Sequence, residues 1–157
     1  MAENKLKIGI VSCSGEDCLG GTISRLATRK MLEERADGAV TICLPLYLAG
    51  GEEERSFAEE YPTIAVDGCS KCCAKRATEK YSGKVSDAID VSDLIGKETA
   101  ESGALSTRDL NDDHREMVDT VASEIRAKID GILKINIKSN KSGGQKSDGC
   151  GCGCGCC

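Results

Sequence analysis

A chain of 157 residues can bury one core without covalent staples, so its 11 cysteines are not needed to hold a mini-protein together. One Phe, three Tyr and no Trp exclude a base-stacking surface, and a net charge of −5 with scattered Lys and Arg argues against nucleic-acid partners. No apolar run approaches the ~20 residues of a bilayer span and the start MAENKLKIGIVS is not a secretory leader, so the expectation is a cytoplasmic protein with no membrane partner.

Residues 5–13, KLKIGIVSC, are short, rich in β-branched side chains and followed by Ser14-Gly15 and Gly20-Gly21, which predicts a buried strand ending in turns. Ile23, Leu26, Ala27, Lys30 and Met31 recur at helical spacing and predict a helix over 22–35, ended by Ala36-Asp37-Gly38. AVTICLPL, residues 39–46, reads as a second strand. Gly50-Gly51 and three glutamates open a short helix toward residue 60, which Pro62 stops. TIAVD, residues 63–67, reads as a third strand. After Gly68, a turn residue in this reading, a helix begins near 69–73 and ends near Gly83. Residues 88–91 form a short fourth strand, and 96–110 carry weak signals. Asn111 caps a last helix that opens on Asp112 and Asp113. Its apolar stripe is Val118, Val121, Ala122, Ile125, Ile129, Ile132 and Leu133. From Ser139 onward the composition cannot bury enough surface to order itself.

Alternating strands and helices predict an α/β fold: a small three-layer, open, mostly parallel sheet with helices on both faces over residues 1–136. Residues 137–157 are expected to be a flexible linker and a cysteine-rich tail.

In a reducing compartment, abundant cysteines point to metal or thiol chemistry, and an odd count excludes a closed set of internal disulfides. Open parallel sheets build their sites outside the carboxyl ends of the strands. Cys13 closes the first strand, Cys18 lies in the loop after it, and Cys43 is late in the second strand. Cys69 follows the third strand, with Cys72 and Cys73 at the next helix start. If the three strands are neighbours, these six thiols share one edge. Helix N-terminal N–H groups and Lys71, Lys75 and Arg76 are expected to lower the thiol pKa in DGCSKCC, with Asp67 either holding the loop or hydrogen-bonding to a metal ligand. Thiolates there serve as metal ligands or as nucleophiles. The first loop, SGEDCLGG, matches neither GxxxxGKS nor GxGxxG, and Glu16 and Asp17 would repel a phosphate. His114, the single histidine, lies among acids at the last helix start and reads as a surface residue.

VSCSG at 11–15, the single cysteine at Cys43, Gly50-Gly51, IAVDGC at 64–69 and a further cysteine at Cys73 make a pattern. Over about residues 6–95 the chain resembles the DGC-domain proteins, a group described as zinc-binding for its shared cysteines. The resemblance implies four metal ligands, Cys13, Cys43, Cys69 and Cys73, with Cys18 and Cys72 as substitutes, and implies no reaction. An all-thiolate set suits zinc or an iron–sulfur cluster.

Cys150, Cys152, Cys154, Cys156 and Cys157 alternate with glycine, which leaves the backbone free to wrap thiolates around a soft ion. The expected function is metal handling or sensing at a cysteine-ligated zinc site, with the tail as a chelating arm that loads the site or presents metal or persulfide sulfur to a partner protein. The alternatives are a sulfur carrier or redox protein with an activated cysteine in DGCSKCC, and an iron–sulfur protein.

Overall fold

Ile8, Ile10 and Val11 have no solvent exposure, because strand β1 (Ile8–Ser12) lies inside a sheet covered on both faces. The structure is a computed structural model that describes residues 6–13 and 15–142; the tail cysteines lie outside the described residues. Three further strands, β2 (Ala39–Val40), β3 (Thr63–Asp67) and β4 (Asp87–Asp90), pair in parallel in the order β2-β1-β3-β4. Ile8 registers with Ala39, Ile10 with Ile64 and Val66 with Ile89. The chain builds outward from β1 to β2, then returns to the other side of β1 for β3.

Among the described residues there are eight helices: α1 (Leu19–Glu34), α2 (Leu46–Ala49), α3 (Glu52–Arg55), α4 (Phe57–Glu60), α5 (Cys73–Tyr81), α6 (Val91–Ile95), α7 (Lys97–Ala100) and α8 (Asp112–Ser142). Side chains alternate across the strands. Ile8, Ile10, Ile64, Val66 and Ile89 meet Ile23, Ala27 and Met31 of α1 and Val118, Val121, Ile125 and Ile129 of α8. Val11 and Ala65 meet Tyr47 of α2, Phe57 of α4 and Ala74 of α5 on the other face. The three layers expected from the strand–helix alternation are present. Each large aliphatic side chain so buried contributes about 1.5–3 kcal/mol. Among the described residues, no helix is long and apolar enough to cross a membrane.

Five elements differ from the sequence reading in ways the local structure shows. β2 ends at Val40 because the Thr41 hydroxyl donates to the Ile10 carbonyl at 2.6 Å, taking the place of a ladder hydrogen bond. α1 starts at Leu19, so Gly20 and Gly21 are helical rather than a turn. The weakly patterned stretch before Asn111 holds α6 and α7; Asp90 caps α6 by accepting from the Ser92 N–H at 2.9 Å and its hydroxyl at 2.6 Å. α8 runs on to Ser142, past the expected end of the domain at 136. Its start is as expected: Asn111 Oδ1 accepts from the His114 N–H at 2.9 Å, and His114 Nδ1 accepts from the Asn111 N–H at 3.2 Å. This reciprocal cap gives His114 a structural role.

Candidate functional site

At the carboxyl edge, β1 and β3 are direct neighbours, and the ladder continues one step beyond β1 through Cys13 N–H donating to the Val66 carbonyl at 3.0 Å. The next backbone donor, Gly68 N–H, points at the Cys13 sulfur at 3.3 Å. On its other side Cys13 Sγ lies 3.3 Å from Ser24 Oγ, whose own proton is directed to the Gly21 carbonyl at 2.8 Å. The thiol accepts from Gly68 and shares a hydrogen bond with Ser24 in which either atom can be the donor. Burial raises the Cys13 pKa, against the pull of the Ser24 and Gly68 hydrogen bonds.

Cys18 is the residue before α1 and Cys69 the second residue after β3. Their junctions are pressed together backbone to backbone. A Cβ on Gly20 would collide with the Gly68 carbonyl oxygen, and a Cβ on Gly68 would collide with the Gly21 nitrogen. A Cβ on Gly15, which sits at φ +77°, would lie 2.6 Å from the Gly21 carbonyl oxygen. Gly68 is absent from the left-handed glycines, Gly15 and Gly96. The chain bends at Gly68 as expected, but the reason the position must be glycine is close approach. Lys71 and Asp17 join the same two loops by an exposed ion pair at 2.6 Å. Glu16 pairs with Arg25 at 3.2 Å, so the first loop's acids are matched by bases.

The contact brings thiols together. Cys18 lies within electrostatic reach of Cys69, Cys69 of Cys72, and Cys73 of Cys13. Burial raises the Cys18 pKa, and the Cys69 thiol pushes the same way. Cys73 is exposed, while Cys13, Cys18, Cys69 and Cys72 are half-buried.

The expected lowering of thiol pKa in DGCSKCC does not hold for Cys72. Burial raises it, and Asp67 and Asp90 add to the rise. The α5 start explains this. Asp67, 2% exposed, accepts from the Ala74 N–H at 2.6 Å and the Lys75 N–H at 3.0 Å. The helix end that would have favoured a thiolate is spent on a carboxylate whose own charge opposes one. Lys71 is tied to Asp17. Cys72 is the residue before the helix, at φ 50°, and its N–H closes a turn onto the Cys69 carbonyl at 3.1 Å.

Cys43 lies beyond the shortened β2 rather than within it. It is exposed and, with Cys13, lines a cavity between α1 and the segment after β2. Nothing local in the sequence marks Ser24 or Gly20-Gly21 as site residues. The glycines meet a partner 40 or more positions away, and Ser24 reaches Cys13 only across the finished β1–α1 junction.

A zinc or iron–sulfur site needs thiolates converging on one point, with Zn–S near ~2.3 Å. Among the described residues no group of three or more Cys, His, Asp or Glu side chains is arranged to hold an ion. The donors fit a soft ion in chemical type and gather at the right edge. Their side chains do not form a closed cage.

A family model described as the DGC domain matches residues 9–125. No curated protein and no solved structure matches the chain.

Proposed function

We propose that this chain, which belongs to the DGC-domain family, is a cytoplasmic metal-binding protein whose thiols at the β1–α1 and β3–α5 junctions hold a soft ion, zinc first, for metal handling or sensing. One observation carries the reading: glycine-to-glycine contact locks together two loops that bear Cys13, Cys18, Cys69 and Cys73. These four are the proposed ligands. Cys18 takes the place that the family resemblance gives to Cys43, because Cys18 already neighbours Cys69 while Cys43 lines the cavity on the β2 side. Cys73 is exposed and free to re-aim, so closing the cage asks for side-chain rotation rather than a change of fold. Cys150, Cys152, Cys154, Cys156 and Cys157 form the proposed chelating arm, which passes metal to this site or to a partner protein.

Anaerobic purification with elemental analysis tests this. Chain truncated after residue 142 should retain one equivalent of zinc, colourless, and lose it in Cys18→Ser and Cys69→Ser but not in Cys43→Ser. Retention in Cys18→Ser with loss in Cys43→Ser would return Cys43 to the ligand set in place of Cys18. A brown protein with iron and sulfide would make the occupant a cluster.

The proximity of Cys18 and Cys69 favours a second reading, a dithiol that cycles to a disulfide. A folded, metal-free protein in which a mild disulfide oxidant links Cys18 to Cys69 would favour it over the metal site.

A further inference from the structure

Ser142, the root of the cysteine-rich arm, stands at the opposite end of the domain from the thiol edge. α1 starts beside that edge at Cys18 and runs back toward the amino edge of the sheet, where the Ile8 N–H donates to the Gly38 carbonyl at 3.0 Å. α8 runs the same way. Lys30 pairs with Asp119 at 2.6 Å, and Arg35, just past the α1 end, pairs with Asp130 at 2.8 Å. Lys128 reaches Asp87, the first residue of β4, at 3.1 Å, and Leu133 lines a cleft with Leu6 and Gly38, just before β1 and β2. α8 thus meets the amino edge by residues 128–133 and continues to Ser142, about 14 Å farther at ~1.5 Å per residue. α1 is about 24 Å long and α8 adds about 18 Å past Asp130, which puts Ser142 roughly 40 Å from Cys18. A chain advances at most about 3.6 Å per residue, whatever conformation it takes. Cys150 is the eighth residue past Ser142 and Cys152 the tenth, so they fall short of their own thiol edge, at about 29 Å and about 36 Å. Cys154, Cys156 and Cys157 get there only with every residue pulled straight, the state of highest entropic cost.

We infer that the arm works in trans: its cysteines deliver a soft ion to the thiol edge of a second copy of this chain, not to its own. The inference rests on the proposed metal reading and names the arm's partner. A tether that cannot span two sites gives them no effective concentration for each other. The root of the arm and the thiol edge lie at opposite ends of the domain, so a head-to-tail approach of two copies brings the arm of one to the edge of the other. Donor and acceptor both offer cysteine sulfur, so the ion keeps one kind of ligand throughout. The step is ligand exchange. Each zinc–sulfur bond to an arm thiolate breaks as one to an edge thiolate forms. The protons that the edge thiols release pass through water to the freed arm thiolates, and no electron is transferred.

The test uses zinc ion and two full-length variants, each checked for native circular dichroism. The donor carries Cys18→Ser and Cys69→Ser, keeps the arm, and is loaded with one equivalent of zinc. The acceptor has all five arm cysteines changed to Ser, keeps the edge, and is metal-free. On mixing, Cys18 and Cys69 of the acceptor should become protected from iodoacetamide, read by peptide mapping. A dialysis membrane between the two should slow that protection roughly tenfold or more. Transfer as fast across the membrane as in contact would overturn the inference. So would no transfer while each variant alone holds zinc, and in both cases the metal reading stands. Zinc held by neither variant would sink the metal reading and the inference with it. A second measurement tests reach without metal, on the full chain with Cys150 as the one arm cysteine. Mild disulfide oxidation should link Cys150 to Cys18 or Cys69 between chains, and within one chain only after about 30 Gly/Ser residues are inserted behind Ser142. A link within one chain in the uninserted protein would overturn the inference.

Discussion

The two junctions that meet at the thiol edge, β1–α1 and β3–α5, share one outline, in which a strand ends, a cysteine follows and a helix starts. They are held by different physics. α1 has no side-chain cap; its first turn is glycine, its Leu19 N–H donates to the Ser102 carbonyl at 2.9 Å, and the whole start is pressed against Gly68. α5 is held by a buried carboxylate on two N–H groups, behind a residue in the left-handed region. The first junction depends on shape and the second on charge. One gives proximity of thiols without tolerance for side-chain volume. The other gives a rigid loop and gives up the electrostatic activation that a bare helix end would supply.

Volume should be the more damaging thing to change. Gly68→Ala or Gly20→Ala forces backbone against backbone and should destabilise by about 3 kcal/mol or more in urea unfolding. Gly103→Ala, with nothing within 4 Å of its added Cβ, should stay within about 0.5 kcal/mol. A Gly68→Ala protein as stable as the parent would remove the shape argument.

Charge comes next. Asp67→Asn keeps one acceptor and should cost roughly 1–2 kcal/mol. Its pH dependence has a definite sign. Burial raises the Asp67 pKa, partly offset by its two backbone hydrogen bonds, so the folded chain binds the proton more tightly than the unfolded one. Asp67's contribution therefore strengthens as pH falls through its raised value toward the ordinary ~3.9, and is lost as pH rises through that raised value. The stability gap between parent and Asp67→Asn should widen on acidification. Asp17, whose pKa the Lys71 hydrogen bond lowers, works in the opposite direction. A gap that narrows on acidification would mean that Asp67 is not a desolvated cap.

The smallest effect belongs to Cys72. Cys72→Gly relieves a left-handed conformation but loosens the unfolded chain, and the two should cancel to within about 1 kcal/mol. A large loss would show that the Cys72 side chain, rather than its backbone, holds the loop.

Most of the fold is legible in the sequence because burial writes itself into local pattern. β3 matches TIAVD residue for residue, since every position of it is buried, and α8 follows its apolar stripe. β2 is shorter than its pattern: Thr41 and Ile42 look like strand, but a single side-chain hydrogen bond ends the ladder at Val40. α6 and α7 lie in a stretch of weak periodicity, where the Asp90 and Ser92 pair is the cap signal that could have found them. At the site, the sequence by itself determined the family and which strand ends carry thiols. Only the tertiary structure decided how they associate. It set Cys18 beside Cys69, put Cys43 with Cys13 in a cavity on the β2 side, and spent the α5 start on Asp67 rather than on a thiolate. The reason is physical. Strand ends and helix starts follow from residues a few positions apart, whereas the meeting of Gly20 with Gly68 depends on β1 and β3 lying side by side, a pairing that no local pattern records.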